Sequence, residues 1–317
     1  MNRSRRRAMA GAALVSLGVT ACADQPTAPS LVSTPAPSLA VTETEESGLS
    51  QFLTSANVRA AKSGVAIARA ELLTTSTADL KTPRLLFAND RTLRLTSGWV
   101  PRDIRRLSTD ATLSYAVFAP NAKATVGGAA GAAFESAMAT WNGVPCSNLT
   151  INKRELEPGR LPSYFRTGGL FPPADINVVG FLPGTVFDSL APGGSQSIVA
   201  VTLTATFVGT DAQGRTIPTD VDGDGRMDTA FKEIWFNDAL GYSTVGAPGT
   251  IDIESAILHE FGHALELGHF GKIVGDPKTG KLHVSPRAVM NAANLGTQRT
   301  LLGSDNAAFC GTYANWQ

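Results

Sequence analysis

Three of the four histidines in this sequence lie within eleven residues, at His259, His263 and His269. In an α-helix, His259 and His263 are one turn apart on the same face, so both imidazoles can reach a single Zn²⁺. Glu260 would then lie beside the metal, where its carboxylate can take a proton from a zinc-bound water whose pKa the ion has lowered to about 7. These residue types at this spacing predict metal-assisted hydrolysis.

His269 can join the same ion only if the helix ends before it. On an unbroken helix it would lie about 15 Å beyond His259, since each residue adds about 1.5 Å. Gly268 directly precedes His269 and can adopt positive φ, so a turn there would bring the third imidazole under the metal. Three histidines and one water would complete a tetrahedral zinc site.

The string HEFGHALELGH at residues 259–269 resembles the extended zinc signature of the metzincin metallopeptidases and is most similar to the matrixin branch. Residues 285–291 (SPRAVMN) resemble the methionine turn beneath the zinc, with Met290 as its floor rather than a ligand. Residues 304–309 resemble the start of the closing C-terminal helix. The resemblance implies an α+β fold with a mixed twisted sheet, an active-site helix and a C-terminal helix.

One residue departs from the family pattern, because Glu266 stands where the family usually has glycine. A non-glycine residue in the left-handed conformation costs roughly 1 to 2 kcal/mol. Either Glu266 accepts that strain or the turn moves to Gly268, which we favour. An alternative is that Glu266 or Asp276 replaces His269 as the third ligand, in another class of zinc enzyme.

A second metal-binding pattern lies at residues 219–228 (TDVDGDGRMD). Carboxylates occupy positions 1, 3, 5 and 9 of a calcium-binding loop, namely Asp220, Asp222, Asp224 and Asp228. Gly225 provides the sharp turn at position 6, and Arg226 could add its backbone carbonyl. Phe231 stands where an EF-hand needs a bidentate glutamate, so the pattern predicts a fixed structural Ca²⁺ rather than a calcium sensor.

The N-terminus has the features of a bacterial export signal. A cluster of arginines precedes an apolar run from Ala8 to Ala21 that is too short to span a membrane. Residues 19–22 (VTAC) resemble a lipobox in which Cys22 is lipidated, although residues 21–23 also fit an A-x-A cleavage site. We favour a lipoprotein over a freely secreted protein. A twin-arginine signal is a further alternative that lacks its usual following residues.

We divide the chain into four parts. Residues 1–22 form the export signal, and residues 23–47, rich in Pro, Thr and Ser, form a disordered tether. Residues 48–110 are an N-terminal extension of unknown role that we expect to pack on the catalytic domain at residues 111–317. The extension contains no cysteine, so the cysteine-switch latency of matrixins cannot operate through it.

Apolar patterning predicts the elements that position these motifs. Strands are expected at residues 113–118, from residue 149, and at 176–181, 198–204 and 231–237, with a helix at 131–141. Asp252 is placed as the N-cap of the zinc helix. Cys146 and Cys310, the two cysteines that remain after processing, would form a disulfide in an oxidising compartment, the alternative being buried thiols.

The resemblance makes residues 231–237 the edge strand above the active-site cleft. The backbone at Glu233, Trp235 and Asn237 would then pair with an extended peptide substrate. The fourth histidine, His283, is expected to be an ordinary surface or packing residue.

The charges balance, with 27 Lys and Arg against 27 Asp and Glu, so no nucleic-acid partner is implied. The sequence thus predicts an exported zinc endopeptidase that hydrolyses protein or peptide substrates with Glu260 as general base, with Zn²⁺ and Ca²⁺ as its metals. Contact with a membrane would come only through the lipid anchor, and the oligomeric state stays open. The alternative function is a non-catalytic surface-binding lipoprotein with a structural zinc site.

Overall fold

The computed structural model describes residues 52, 54–75, 85–88, 97–118, 126, 129–156, 163–167, 172–275 and 282–317. The expectations for the export signal, for Cys22, for the tether and for Asp276 lie outside the described residues. Within the described ranges, no helix is long and apolar enough to cross a membrane.

A mixed β-sheet is the framework on which the described part of the chain is built. Its strands are β1 (Val65–Thr74), β2 (Leu85–Ala88), β3 (Ser97–Gly98), β4 (Leu113–Val117), β5 (Ile151–Lys153), β6 (Ile176–Leu182), β7 (Ile198–Thr210), β8 (Thr216–Pro218) and β9 (Met227–Asn237). The main order in space is β2-β1-β7-β9-β6-β4-β5, with β3 beside β9 and β8 beside β7. Strands β9, β6, β4 and β5 are parallel neighbours, whereas β7 is antiparallel to both β9 and β1.

Helices cover the sheet and carry the remaining motifs. They are α1 (Ala129–Asn142), α2 (Tyr164–Thr167), α3 (Gly184–Asp188), α4 (Gly194–Ser197), α5 (Ile253–Ala264) and α6 (Gly303–Tyr313), and residues 54–61 are also helical. Two short ribbons complete the described elements: β10 (Tyr242–Ser243) with β11 (Ile251–Asp252), and β12 (Lys272–Gly275) with β13 (Leu282–Ser285). The fold is therefore α+β with a mixed sheet, as the sequence predicted.

Two clusters of buried apolar side chains lie on the two faces of the sheet. Val178 belongs to the cluster formed with α1, α5 and α6, whereas its neighbour Val179 belongs to the cluster formed with Val65 and Ile67 of β1. Successive residues of a strand point to opposite faces, which explains this division. Helix α5 is thus held against one face by packing, and the extension contributes to the core on the other.

Most of the predicted elements are confirmed with small shifts of their ends. The helix expected at residues 131–141 is α1, and the strand expected from residue 149 begins at Ile151. Asp252 caps α5, because its carboxylate accepts a hydrogen bond from the Ser255 backbone N–H at 3.0 Å. Cys146 and Cys310 form the predicted disulfide, which links the segment after α1 to α6. His283 is exposed on β13, as expected for an ordinary surface histidine.

The prediction that residues 231–237 form an edge strand is wrong. They belong to β9, which pairs with β6 on one side and β7 on the other, so the backbone at Glu233, Trp235 and Asn237 has no free edge. All three side chains are buried. The resemblance assigns the edge to residues 231–237, but β9 is covered on both faces and carries the nearly continuous run of buried residues that is typical of a central strand.

On the side of the sheet next to β1, the last strand of the main order that comes from the chain after residue 110 is β7, not β9, and the extension occupies its outer edge. Strand β1 lies antiparallel along β7 in a register that runs from Val65 opposite Phe207 to Thr74 opposite Ile198. The described part of the extension therefore packs on the domain, as expected, by adding a strand to its sheet.

The turn after α5 is made by Glu266 and not by Gly268, so the favoured expectation is wrong. Glu266 has φ 63°, in the left-handed region. Its N–H donates to the His263 carbonyl at 3.0 Å and the Leu267 N–H donates to the Gly262 carbonyl at 2.9 Å, the two bonds of a Schellman motif. Glu266 thus occupies the position where helices usually carry glycine.

Tertiary contacts of the Glu266 side chain explain why this residue tolerates the strain. Its carboxylate accepts hydrogen bonds from Ser97 Oγ at 2.7 Å and Thr229 Oγ1 at 2.5 Å, and it lies 2.8 Å from Lys232 Nζ. Glu266 and Lys232 are both almost fully buried. Strained residues persist when their surroundings fix them in this way.

We expect Glu266→Gly to destabilise the protein, although glycine suits the backbone. The substitution would relieve about 1 kcal/mol of strain but leave the buried Lys232 ammonium without its ion-pair partner, at a cost of about 3 to 5 kcal/mol. The free energy of unfolding should therefore fall by about 2 to 4 kcal/mol in denaturant titration. Gly268→Ala, the control, should change it by less than about 1 kcal/mol. A Glu266→Gly variant as stable as wild type would contradict the role of the pair.

Candidate metal centre

The three histidines that the sequence predicted as ligands come together. Helix α5 presents His259 and His263 on one face, and the turn at Glu266 returns the chain so that His269 reaches the same point. One ring nitrogen from each histidine lies within 4.8 Å of those of the other two, and the Nε2 atoms of His263 and His269 are 3.1 Å apart.

The hydrogen bonds of the rings fix which nitrogen faces the centre. His259 Nδ1 lies 2.7 Å from the Val289 carbonyl oxygen and His263 Nδ1 lies 2.7 Å from the Leu267 carbonyl oxygen. A carbonyl oxygen only accepts, so Nδ1 carries the hydrogen and Nε2 carries a lone pair in both rings. Histidines that bind metals are typically oriented by such bonds.

A cation would satisfy atoms that the described protein leaves without a partner. His259 Nε2 is buried and has no hydrogen-bond partner among the described residues. Leaving a buried acceptor unsatisfied is costly, and three converging imidazoles are a usual ligand set of Zn²⁺. The residues present therefore fit zinc.

Burial keeps the imidazoles of His259 and His263 in the neutral form that binds metals. It lowers the pKa of His259 to about 4, against the opposing effect of the Val289 carbonyl. The pKa of His263 is also well below its usual range, mainly through burial and further through His269 and His259. Protons therefore compete little with a metal ion at neutral pH.

Glu260 is a buried carboxyl held by the sheet. Thr202 Oγ1 on β7 donates a hydrogen bond of 2.5 Å to Glu260 Oε2, while Oε1 has no hydrogen-bond partner within the described ranges. Burial raises the pKa of Glu260 to about 8, although the Thr202 hydroxyl lowers it. A carboxyl with a pKa near neutrality can both accept and release a proton at physiological pH.

The predicted methionine turn lies beneath α5 and also orients a histidine. The Val289 and Met290 N–H groups donate to the Asp305 carboxylate of α6 at 3.0 and 3.1 Å, and the Val289 carbonyl accepts from His259. Met290 is buried against Gly262, where an added Cβ would lie 2.2 Å from the Met290 sulfur. Met290 therefore packs under the helix, as predicted for a floor residue.

Sequence reasoning missed Thr202 and the part that Asp305 plays. Thr202 lies in a β-branched strand where nothing in the local pattern sets it apart from Thr204 or Thr206. The sequence pattern marks Asp305 only as part of a helix start, yet its carboxylate joins α6 to the segment that orients His259. Long-range contacts give both residues their roles.

Glu266 is unsuited to the alternative role of third ligand. Its carboxylate is bound by Ser97, Thr229 and Lys232, as described above. The other alternative, Asp276, lies outside the described residues.

The acidic loop brings together part of its predicted calcium ligands. Carboxylate oxygens of three exposed aspartates lie within 4.8 Å of one another: Asp220, Asp222 and Asp224. Gly225 turns the chain with φ 81°, as predicted. The Arg226 N–H donates to Asp224 at 2.8 Å, and the role of its carbonyl stays a prediction.

Asp228 does not join the other three aspartates, contrary to the prediction. Its carboxylate is buried, accepts a hydrogen bond of 2.6 Å from Thr219 Oγ1 and forms an ion pair of 2.7 Å with Arg105. Asp228 begins the buried part of β9, so its side chain points into the protein, where Arg105 from the extension neutralises it.

Comparison with protein-family models and with curated proteins finds no match for this chain. The likeness to metzincins therefore rests on the residues quoted for it, and the function is inferred from the geometry of the site.

Proposed function

We propose that this chain is an exported zinc-dependent endopeptidase of the metzincin type. The observation that carries the proposal is the convergence of His259, His263 and His269, with a buried, unpartnered Nε2 on His259, next to the buried carboxyl of Glu260. The mixed sheet, the histidine-bearing α5, the buried Met290 under it and the closing α6 are what the resemblance leads one to expect.

His259, His263 and His269 would hold the zinc ion, which when bound supplies a Lewis acid and a water of lowered pKa. Glu260 would take the proton of the attacking water through its carboxylate and return that proton to the leaving amine. The Thr202 hydroxyl orients Oε2 of Glu260 and favours the ionised carboxylate. Burial has the opposite effect, because it favours the protonated carboxyl. Asp305 keeps the Val289 carbonyl in place to orient His259.

One observation favours the alternative, a structural zinc site in a surface-binding lipoprotein. Glu260 and His263 are completely buried and His259 is nearly so. Structural zinc sites are usually closed, whereas catalytic sites keep one position open to water or substrate. The two functions differ in what they predict for hydrolysis.

We expect Glu260→Ala to keep its zinc and its fold while losing at least about 100-fold in turnover, because only the general base is removed. Metal analysis, unfolding curves and casein cleavage with and without a chelator would measure this. The matched control is Glu254→Ala, the same change in the first turn of α5. The structural site would be favoured if the zinc-loaded wild-type protein never cleaves casein, whether that protein is intact or proteolytically processed.

We expect His269→Ala to lower the zinc content below one ion per chain under conditions where wild type is saturated. Removing one of three ligands leaves two imidazoles, too few for a stable zinc site. His283→Ala, which changes an exposed histidine of β13, is the control and should bind zinc normally. Full zinc content in His269→Ala would instead support a carboxylate third ligand such as Asp276.

We further propose that Asp220, Asp222 and Asp224 bind a structural Ca²⁺. Burial and the neighbouring Asp224 raise the pKa of Asp222, a sign of repulsion that a cation would relieve. The melting temperature should therefore rise with Ca²⁺ concentration. At a free Ca²⁺ concentration of 100 times the Kd, binding should add about 2.7 kcal/mol to the free energy of unfolding. The rise should disappear in Asp222→Asn and persist in Asp211→Asn, a control in another exposed turn. Equal melting temperatures in Ca²⁺ and in a chelator would contradict this site.

A further inference from the structure

Strand β1 crosses the metal centre along the edge of β7. In its antiparallel register, Glu71 lies opposite Thr202, and Leu73 lies opposite Ala200. Thr202 is the residue whose hydroxyl holds the Glu260 carboxylate. The end of β1 is therefore paired with the part of β7 that carries Thr202, the residue that orients the proposed general base.

The end of β1 is hydrogen-bonded on both sides through its backbone. The Thr74 N–H donates to the Ala292 carbonyl at 3.4 Å, and its own carbonyl accepts from the Asn294 N–H at 2.8 Å. The Thr75 N–H donates to the Ser197 carbonyl at 2.8 Å. Thr74 thus runs antiparallel to β7 and parallel to the segment at Ala293 that follows Met290. An extended peptide in a groove between two strands is held by the same kind of bonds.

Leu73 lies beside His259, one of the three histidines of the metal centre. Its side chain is only 2% exposed, and it lines a small cavity together with His259, Val289 and Ala293. Its backbone N–H lowers the pKa of Glu260, an effect smaller than those of burial, Thr202 and Glu71. The Leu73 backbone is therefore close to the proposed general base.

A buried carboxylate of the same strand lies beside one of the histidines. Arg69 lies 2.8 Å from Glu71, and Glu71 lies 3.5 Å from His263 Nδ1. Arg69 and Glu71 are each 2% exposed. With β1 in place, the outer edge of β7 beside Glu260 is already paired, so another extended chain cannot form the same hydrogen bonds.

We infer that residues 72–75 occupy the groove in which an extended peptide substrate binds, so that β1 is an autoinhibitory strand that a substrate must displace. The inference rests on the proposed peptidase function. It accounts for the closed metal centre without assigning it a purely structural role. Because strand and groove belong to one chain, β1 competes at a high effective concentration.

The test uses the full-length chain and variants that weaken the end of β1. Leu73→Ala removes the side chain beside His259, and Thr74→Pro removes the N–H that donates to Ala292. Leu203→Ala is the control, since it also truncates a buried leucine of the sheet, on the face away from α5. The first readout is the rate at which 1,10-phenanthroline removes zinc from each variant, which does not depend on peptidase activity.

We expect zinc release from Leu73→Ala and Thr74→Pro to be at least about tenfold faster than from wild type and Leu203→Ala, since loosening the strand raises the population of the open site. Casein cleavage should rise in parallel. A synthetic peptide of residues 70–76 (AELLTTS), added to the Leu73→Ala variant, should inhibit cleavage by refilling the groove. If Leu73→Ala fails to fold, Thr74→Pro gives the same comparison with the packing of Leu73 retained.

The outcomes separate this inference from the proposed function. Zinc release at the Leu203→Ala rate in both β1 variants would overturn the inference, whether or not casein is cleaved. Fast zinc release without casein cleavage by any variant would overturn the peptidase function and leave β1 as a strand that covers the metal centre. If wild type cleaves casein as fast as both variants do, and the peptide does not affect cleavage, autoinhibition alone would be overturned.

Discussion

The buried ion pair between Glu266 and Lys232 is the interaction on which the arrangement of the metal centre depends. Three imidazoles can meet only if the chain reverses directly after α5, and the residue that makes the reversal is not a glycine. The left-handed conformation is unfavourable for glutamate taken alone. Lys232 on β9, together with Ser97 and Thr229, holds the carboxylate and so holds the turn. The position of His269 is therefore fixed from the sheet as well as from the helix.

A second set of contacts fixes His259. Asp305 at the start of α6 binds the backbone of Val289 and Met290, and the Val289 carbonyl receives the His259 N–H. Tyr313, further along α6, donates to the Leu265 carbonyl at the end of α5 at 3.0 Å. Carbonyls at the end of a helix lack intrahelical partners, so this bond also stabilises the start of the turn. Helix α6 thus supports the site at two points without contributing a ligand.

Local patterns were sufficient where the neighbours in sequence determine the structure. The spacing of His259 and His263, the cap at Asp252 and the helix at α1 could all be predicted for that reason. The errors concern side chains whose partners are distant in the sequence. Asp228 is separated from Arg105 by 123 residues, and the partner of Glu266 lies on another strand, so neither could be paired by periodicity or composition. The place of β9 in the sheet depends likewise on which strands assemble beside it.

The disulfide between Cys146 and Cys310 divides the molecule into a covalently closed ring and a part outside it. The ring has a sequence separation of 164 and contains β7, the three histidines, Glu260 and Met290. Strand β1 lies outside the ring. Its covalent link to the ring passes through the chain between β1 and β3. One cut in that connection would turn β1 from a tethered segment into a separate polypeptide held by noncovalent forces, while the three histidines, Glu260 and Met290 remained in the ring. The fraction of molecules that retain β1 would then fall on dilution. The stability of the ring would not depend on the protein concentration.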